Sequence, residues 1–510
     1  MTIVSSGQVF VVSTGIAEGL TVMSGGSVIA RTGGITKGTV LSGGSEYVSS
    51  GSEATNTTVK KGGALSISSG ASASETHLTR GGLETVYSGG FDSKDSINGS
   101  ATQIVYGTVS GTKLQNSGSQ IIYSGGIAIE THLSGGDGGT ATQFIASGGE
   151  AVYTTISGNG AQIVYGSSLS ATLFRAWETV MSGGTVIHTH VETGDIYVSS
   201  GGVDSQSTVT DEGYEYIWGG QSYDTKVDAS SVQVLDEGIV SGATIAGLQF
   251  VYGGDAEATI VLSNGTQLLS SGRADGTIVY GTQDVSELNI AYATIANATS
   301  IEGGLMDVGS GATIIDPSLT AISGGALELG SGDIVISGAI NFAVGSATLQ
   351  IDTKDMPTAV ISGFAPTDII SLHAVKYNSS DTTSVSGNEV SVMTPSGTYV
   401  LDIAGASNDA FQVTSGHGGT FLEIATEAST SNQSLVQLHN PAAADTQSSL
   451  TFAPNVSNSE GWGWSTMAAI DGRAPIQPGV LLSAEVGGAM AMWLDAESPS
   501  SNLVVSTDRG

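Results

Sequence analysis

Apolar and polar residues alternate along this chain in runs of only three to five, and each run is ended by Gly-Gly or Ser-Gly. Leu65 and Ile67 follow Ala64, and Ile104 and Tyr106 follow Gln103, with the two-residue spacing of a strand. Glycines that accept positive φ close each run and suit the corners of a coil. No stretch carries the 3.6-residue period of a helical repeat. The frame Ser42-Gly43-Gly44 through Thr58-Val59-Lys60 is followed by Lys61-Gly62-Gly63 through Thr76-His77-Leu78. It returns at Arg80-Gly81-Gly82, Ser182-Gly183-Gly184 and Ser200-Gly201-Gly202. The period is roughly 19 residues, a solenoid signature, and so short a unit buries its apolar side only by stacking on its neighbours. With one unit per coil, residues 1–320 predict roughly 17 coils at ~4.8 Å each, a rod of about 80 Å.

A coarser repeat lies over the fine one. Glu75-Thr76-His77-Leu78, Glu130-Thr131-His132-Leu133 and His188-Thr189-His190-Val191 occupy one slot about three coils apart. Past residue 320 the Gly-Gly frame fades. The predicted organisation is a repeat solenoid over 1–320, the end of the coil with a small β cap over 321–426, a Ser/Asn/Pro-rich linker over 427–460 and a tail element over 461–510. The longer alternations Glu389-Val390-Ser391-Val392 and Thr398-Tyr399-Val400-Leu401-Asp402-Ile403 mark the cap.

Composition narrows what the rod can do. The chain has 47 acidic against 14 basic residues in 510, a net charge of -33, so its surface repels phosphate backbones and anionic headgroups; nucleic acid is not an expected partner. There is no cysteine, which removes disulfides, thiolate metal sites and a Cys nucleophile. No apolar run approaches the ~18 residues of a transmembrane helix, and Met1 to Gly7 carries no signal-peptide pattern.

The tandem Val-x-Ser-Gly-Gly-x-Ala-x-x-Thr-x-Val frame, clear in Ser42 to Lys60, Lys61 to Thr79, Ser124 to Leu133 and Ser182 to Val191, resembles the passenger repeats of AIDA-type self-associating autotransporter adhesins of Gram-negative bacteria. The resemblance covers roughly the first 300 residues. It implies an all-β fold, a right-handed parallel β-helix, at the outer cell surface or secreted, acting in adhesion, autoaggregation or biofilm formation. Partners would be further copies of the chain, or a host or extracellular glycan or surface protein. Sugars on passenger Ser and Thr are a further implication. Nothing after Ala428 has room for the membrane barrel of that family, so a passenger fragment or a barrel-less relative is expected. Gly363 to Leu372 and Gly416 to Thr420 resemble the C-terminal β module of large exported alphaproteobacterial repeat proteins.

Candidate chemistry is sparse. Tyr87, Tyr106, Tyr123, Tyr165, Tyr252 and Tyr280 occupy Val-Tyr-Gly or Ile-Tyr-Ser slots; on consecutive coils such rings would stack about 5 Å apart, as a stiffening ladder or a recognition strip. The acids from Asp204 through Asp211, Glu212, Glu215, Asp224 and Asp228 to Asp236-Glu237 lack a calcium-loop spacing and read as a solvated side. His188 and His190 have no third ligand and read as exposed. No constellation of acids with Lys or Arg supports a polysaccharide lyase or hydrolase, so no catalytic residue, metal or cofactor is expected. A polysaccharide-binding or -degrading coil is the alternative, and a mechanical spacer a third reading.

Overall fold

A computed structural model describes residues 2–425, apart from 137–138, 286–294, 298, 310–311, 323, 331–334 and 344; beyond 425 it describes only the segments Val436–Leu438, Ser448–Leu450, Leu482–Ser483 and Ala491–Met492. The linker and tail expected over 427–460 and 461–510 otherwise lie outside the described residues. Residues Met1–Ala425 form one compact unit and Thr426–Gly510 a second.

The first unit is a parallel β-helix of about 19 turns. Each turn contributes three short strands and hence three faces. The first face holds strands such as Ser45–Val48, Ala64–Ile67 and Leu83–Val86, paired parallel and in register (Glu46 with Leu65, Leu65 with Glu84). The second holds Glu53–Thr55, Ser72–Ser74 and Phe91–Ser93; the third holds Thr58–Val59, His77–Thr79 and Ser96–Asn98. Among the described residues there is no α-helix, only a 3-10 turn at Ala406–Asn408, and no helix is long and apolar enough to cross a membrane.

The corners explain the glycine frame. Between second and third faces one residue per turn takes the left-handed conformation: Gly38, Asn56, Glu75, Lys94, Gly111, Glu130, Tyr153, Ser170 and His188 all have φ between 50° and 69°. Its N–H donates to the turn ahead, as from Asn56 to Ser74 (2.9 Å) and Glu75 to Ser93 (2.8 Å), so the corners themselves are hydrogen-bonded along the axis. In the Gly-Gly pairs the two glycines do different work. Gly183 has φ +83°, whereas a Cβ on Gly184 would lie 2.1 Å from the carbonyl oxygen of Val164 one turn below.

Inside, each face supplies columns of like residues. Leu78, Ile97, Leu114, Leu133 and Ile156 line the third face, Val86, Val105, Ile122, Ile145 and Val164 the first, and small side chains such as Ala54, Ala73, Ala128 and Ala151 the second; all are buried. At the C-terminal end, Ile369–Leu372, still in the first-face stack, pairs antiparallel with Thr420–Ile424, which pairs with Phe411–Ser415. The hairpin covers the strand edge that a parallel stack leaves open. A meander of Thr382–Ser386, Glu389–Thr394 and Gly397–Asp402 adjoins it, and Phe364 joins coil to cap, 5.3 Å from Phe342 and 6.2 Å from Phe411 between ring centres.

Candidate functional site: an uncharged aromatic strip on the first face

A four-residue first-face strand buries its second and fourth residues and turns its first and third outward; the residue after the strand also points out. On the strands Leu83–Val86 through Trp177–Val180 these outward positions hold Leu83, Thr85, Tyr87; Thr102, Ile104, Tyr106; Ser119, Ile121, Tyr123; Thr142, Phe144, Ala146; Ala161, which is covered and buried, Ile163, Tyr165; Trp177, Thr179, Met181. Not one is charged, in a chain with a net charge of -33. The six turns span on the order of 400 Å² of outer surface, at ~4.8 Å per turn and ~3.3 Å per residue. That footprint falls within the ~300–600 Å² of the largest patch on a typical monomer, a patch that is often functional. The outward residues of the third face are by contrast polar: His77 and Thr79, Ser96 and Asn98, Lys113 and Gln115, His132 and Ser134.

Of the six tyrosines singled out from the sequence, the structure brings three together. Tyr87 and Tyr106 have ring centres 6.3 Å apart, Tyr106 and Tyr123 4.9 Å apart, each pair within 10° of parallel. Tyr165 leaves this ladder and packs on Phe144 at 5.3 Å, because Ala146 fills the intervening slot. Tyr252 lies farther along the same face, stacked on Phe250 at 5.7 Å. Tyr280 does not belong to this column: it follows Ile278–Val279 on the third face and is exposed. The sequence reading missed a second aromatic group on the first face, Tyr197, Tyr214, Tyr216 and Trp218. Tyr197 and Tyr216 stack at 5.1 Å, and burial, before the nearby Asp195 carboxylate, pushes the Tyr197 phenol up to about 12. Its signal was present, since Tyr197 and Tyr216 sit at equivalent strand positions two and three coils after Ile163.

The interior also holds what the sequence reading did not anticipate. Gln103, Gln120, Gln143 and Gln162 point inward at the second position of consecutive first-face strands, and each amide nitrogen donates to the side chain one turn below. Gln103 donates to Glu84 (2.9 Å), Gln120 to Gln103 (2.7 Å), Gln143 to Gln120 (2.6 Å) and Gln162 to Gln143 (2.5 Å). A second ladder runs from Gln283 through Gln267, Gln249 and Gln233 to Glu215. Inward threonines of the neighbouring corner add donors: Thr131 to Gln120 (3.3 Å), Thr154 to Gln143 (3.2 Å) and Thr189 to Glu178 (3.0 Å). Of the acids read as one solvated side, Asp211, Glu212, Asp224, Asp236 and Glu237 are exposed, but Asp204 and Glu215 are buried in the coil. Burial, first, and then the Glu215 charge hold the Asp204 carboxyl well above its usual range.

His77, His132 and His190 fall in one third-face column, three turns apart, and His77 and His132 each place Nδ1 against a backbone oxygen two residues back (2.8 and 3.0 Å). His188 is a corner residue with φ 58°, off the strand that carries His190, so the two do not share a strand surface.

No family model matches this chain, and no curated protein matches it. Among solved structures it is similar to a hyper-glycosylated TibA fragment modified by TibC, with 25% identity over 67% of this chain and 96% of that one and a TM-score of 0.32. It is also similar to PfbA, a surface adhesin of Streptococcus pneumoniae, with 8% identity over 78% of this chain and 90% of that one and a TM-score of 0.12. At TM-scores this low neither similarity carries an argument about this chain.

Proposed function

We propose that this chain is a structural repeat protein of the adhesin type, secreted or held at a bacterial outer surface, in which the uncharged first-face strip is the adhesive contact. The observation that carries the reading is the six-turn run of uncharged outward residues in aromatic and aliphatic columns on the first face, in a chain of net charge -33. The occupant that fits is a second copy of the same strip. In the Tyr87–Tyr106–Tyr123 ladder the rings lie nearly parallel, with Tyr106 and Tyr123 closest at 4.9 Å between centres. Sugar binding by ring stacking needs open ring faces, and between Tyr106 and Tyr123 the facing sides are taken; beside the ladder runs the column Ile104, Ile121, Phe144 and Ile163. That surface suits a flat partner with the same regular spacing.

The strip is about half the ~800 Å² per partner of a stable complex, so a single pair of rods associates weakly. Many rods on one surface would hold through multivalency. Replacing Ile121 and Phe144 together by Asp tests the reading, because both side chains are outward and half-buried and their exchange leaves the inner columns alone. Sedimentation velocity at increasing protein concentration is expected to show association of the natural chain and at least a tenfold weaker one for the double variant. Equal association of both would sink the proposal. The same reading carries no enzymatic activity, and new reducing ends released from acidic or neutral polysaccharides by the purified chain would overturn that part of it.

A further inference from the structure

One turn of the coil breaks the rules of its columns. Glu84 stands at the foot of the glutamine ladder, Asp92 takes the second-face position held by Ala73 and Val109, and Asp95 takes the corner position held by Thr76 and Thr112. All three are buried, and carboxylate oxygens from the three lie within 4.8 Å of one another. The donors that reach them are few: the Gln103 amide gives one hydrogen to Glu84 (2.9 Å) and one to Asp95 (2.8 Å), the Thr76 N–H reaches Asp95 (3.0 Å) and the Ser93 N–H reaches Asp92 (2.7 Å). No N–H or O–H donor reaches Glu84 Oε1 or Asp92 Oδ2, while Asp92 lies within hydrogen-bond reach of the Glu84 and Asp95 carboxyls. Independently, the Thr76 hydroxyl is buried beside Glu84 and makes no well-formed hydrogen bond.

Asp204, in the same second-face column, shows what a buried acid looks like when the coil itself serves it: Ser207 donates at 2.5 Å and Thr225 at 3.3 Å. At Asp92 the equivalent corner residue is Asp95, which brings another carboxyl in place of a hydroxyl donor. We propose that Glu84, Asp92 and Asp95, with the Thr76 hydroxyl, hold one hard divalent cation inside the coil, Ca²⁺ being the ion that fits best. The donor set is all oxygen, and Ca–O bonds of ~2.3–2.6 Å let ligands on opposite sides of one ion sit about 4.8 Å apart. Ca²⁺ also accepts irregular, largely dehydrated coordination, whereas Mg²⁺ retains several waters. Because the three side chains face the interior, the ion enters as the coil closes, and binding is coupled to folding.

The experiment is refolding of the full chain at pH 7.5 in Ca²⁺ or in chelator, followed by desalting and metal analysis, beside Asp92→Ala and Asp95→Thr, the residue types of the adjoining turns. About one equivalent of Ca²⁺ should remain with the natural chain, at least tenfold less with either variant, and only the natural chain should lose thermal stability when refolded in chelator. Asp92→Asn, which keeps the shape, serves as the second variant should the others lack the β-sheet circular dichroism signal. Equal calcium in the natural chain and the variants would assign it to the acidic surface and overturn the proposal. So would no retained Ca²⁺ together with identical stability in Ca²⁺ and chelator, the outcome of carboxyls that share protons instead.

Discussion

At the residue scale the inner glutamines and their acidic replacements decide how the coil responds to pH. Glu178 continues the column above Gln162, is fully buried, and has one oxygen on Thr189 (3.0 Å) and the other unpartnered. Burial pushes its pKa up from 4.5 to about 7. The folded state therefore holds a proton that the unfolded chain has already lost. The resulting stabilisation is complete below the unfolded pKa near 4.5 and lost as pH rises to about 7, roughly 3 kcal/mol across that window. Glu178→Gln supplies an amide that can donate to Gln162 and carries no titration. At pH 8 it should be more stable than the natural chain by up to ~3 kcal/mol, and at pH 4.5 nearly equal to it. Thermal midpoints across pH 4.5–8 check this, and parallel profiles for the two chains would refute it.

At the element scale the corners set which sequences coil. The left-handed corner between second and third faces accepts Asn, Glu, Lys, Tyr and His as well as Gly, since one strained residue per turn is offset by the column of backbone hydrogen bonds it joins. The second glycine of a Gly-Gly pair has no such latitude. Gly184→Ala would drive its methyl into the Val164 carbonyl and should destabilise the coil by roughly 1–3 kcal/mol. Gly183→Ala, which meets nothing within 4 Å but has φ +83°, should cost about 1–2 kcal/mol from backbone strain alone. Urea midpoints of the two variants separate crowding from strain: greater loss at Gly183 would contradict the close-approach account.

The glycine frame and the two-residue alternation made strands, turns and coil legible before any coordinates, because both follow from the backbone. The phase of the alternation was not legible. In Gln103-Ile104-Val105-Tyr106 the more apolar pair, Ile104 and Tyr106, faces out, while Gln103 faces in. Ordinary cores reject a lone inward amide, but a coil repeats every ~4.8 Å, so each amide finds its partner in the next turn. The recurrence of Gln at the second strand position, from Gln103 to Gln162 and again from Gln233 to Gln283, is the signal that reveals it. The tyrosine ladder was legible only where coils are uniform: Ala146 interrupts it after Tyr123, and Tyr280 matched the local motif from a different face.

At the scale of the whole molecule, charge and the uncharged strip oppose one another. Two rods meeting strip to strip bring two bodies of net charge -33 together, and the repulsion extends over a Debye length, ~30 Å at 0.01 M salt, ~10 Å at 0.1 M and ~3 Å at 1 M. The strip itself contributes no charge, so screening removes the opposing term and leaves the apolar contact intact. Association should therefore strengthen steeply between 0.01 and 0.1 M NaCl and change less beyond. The opposite trend would identify charge pairing as the attraction. A monovalent salt is the right variable, because a divalent ion would also bridge surface carboxylates of the two rods. The Ile121 and Phe144 double Asp variant supplies the internal control: salt should restore little of its association, since the added carboxylates sit within the contact and must be desolvated there. Recovery of that variant to the level of the natural chain in 1 M NaCl, measured by sedimentation, would place the contact elsewhere on the rod.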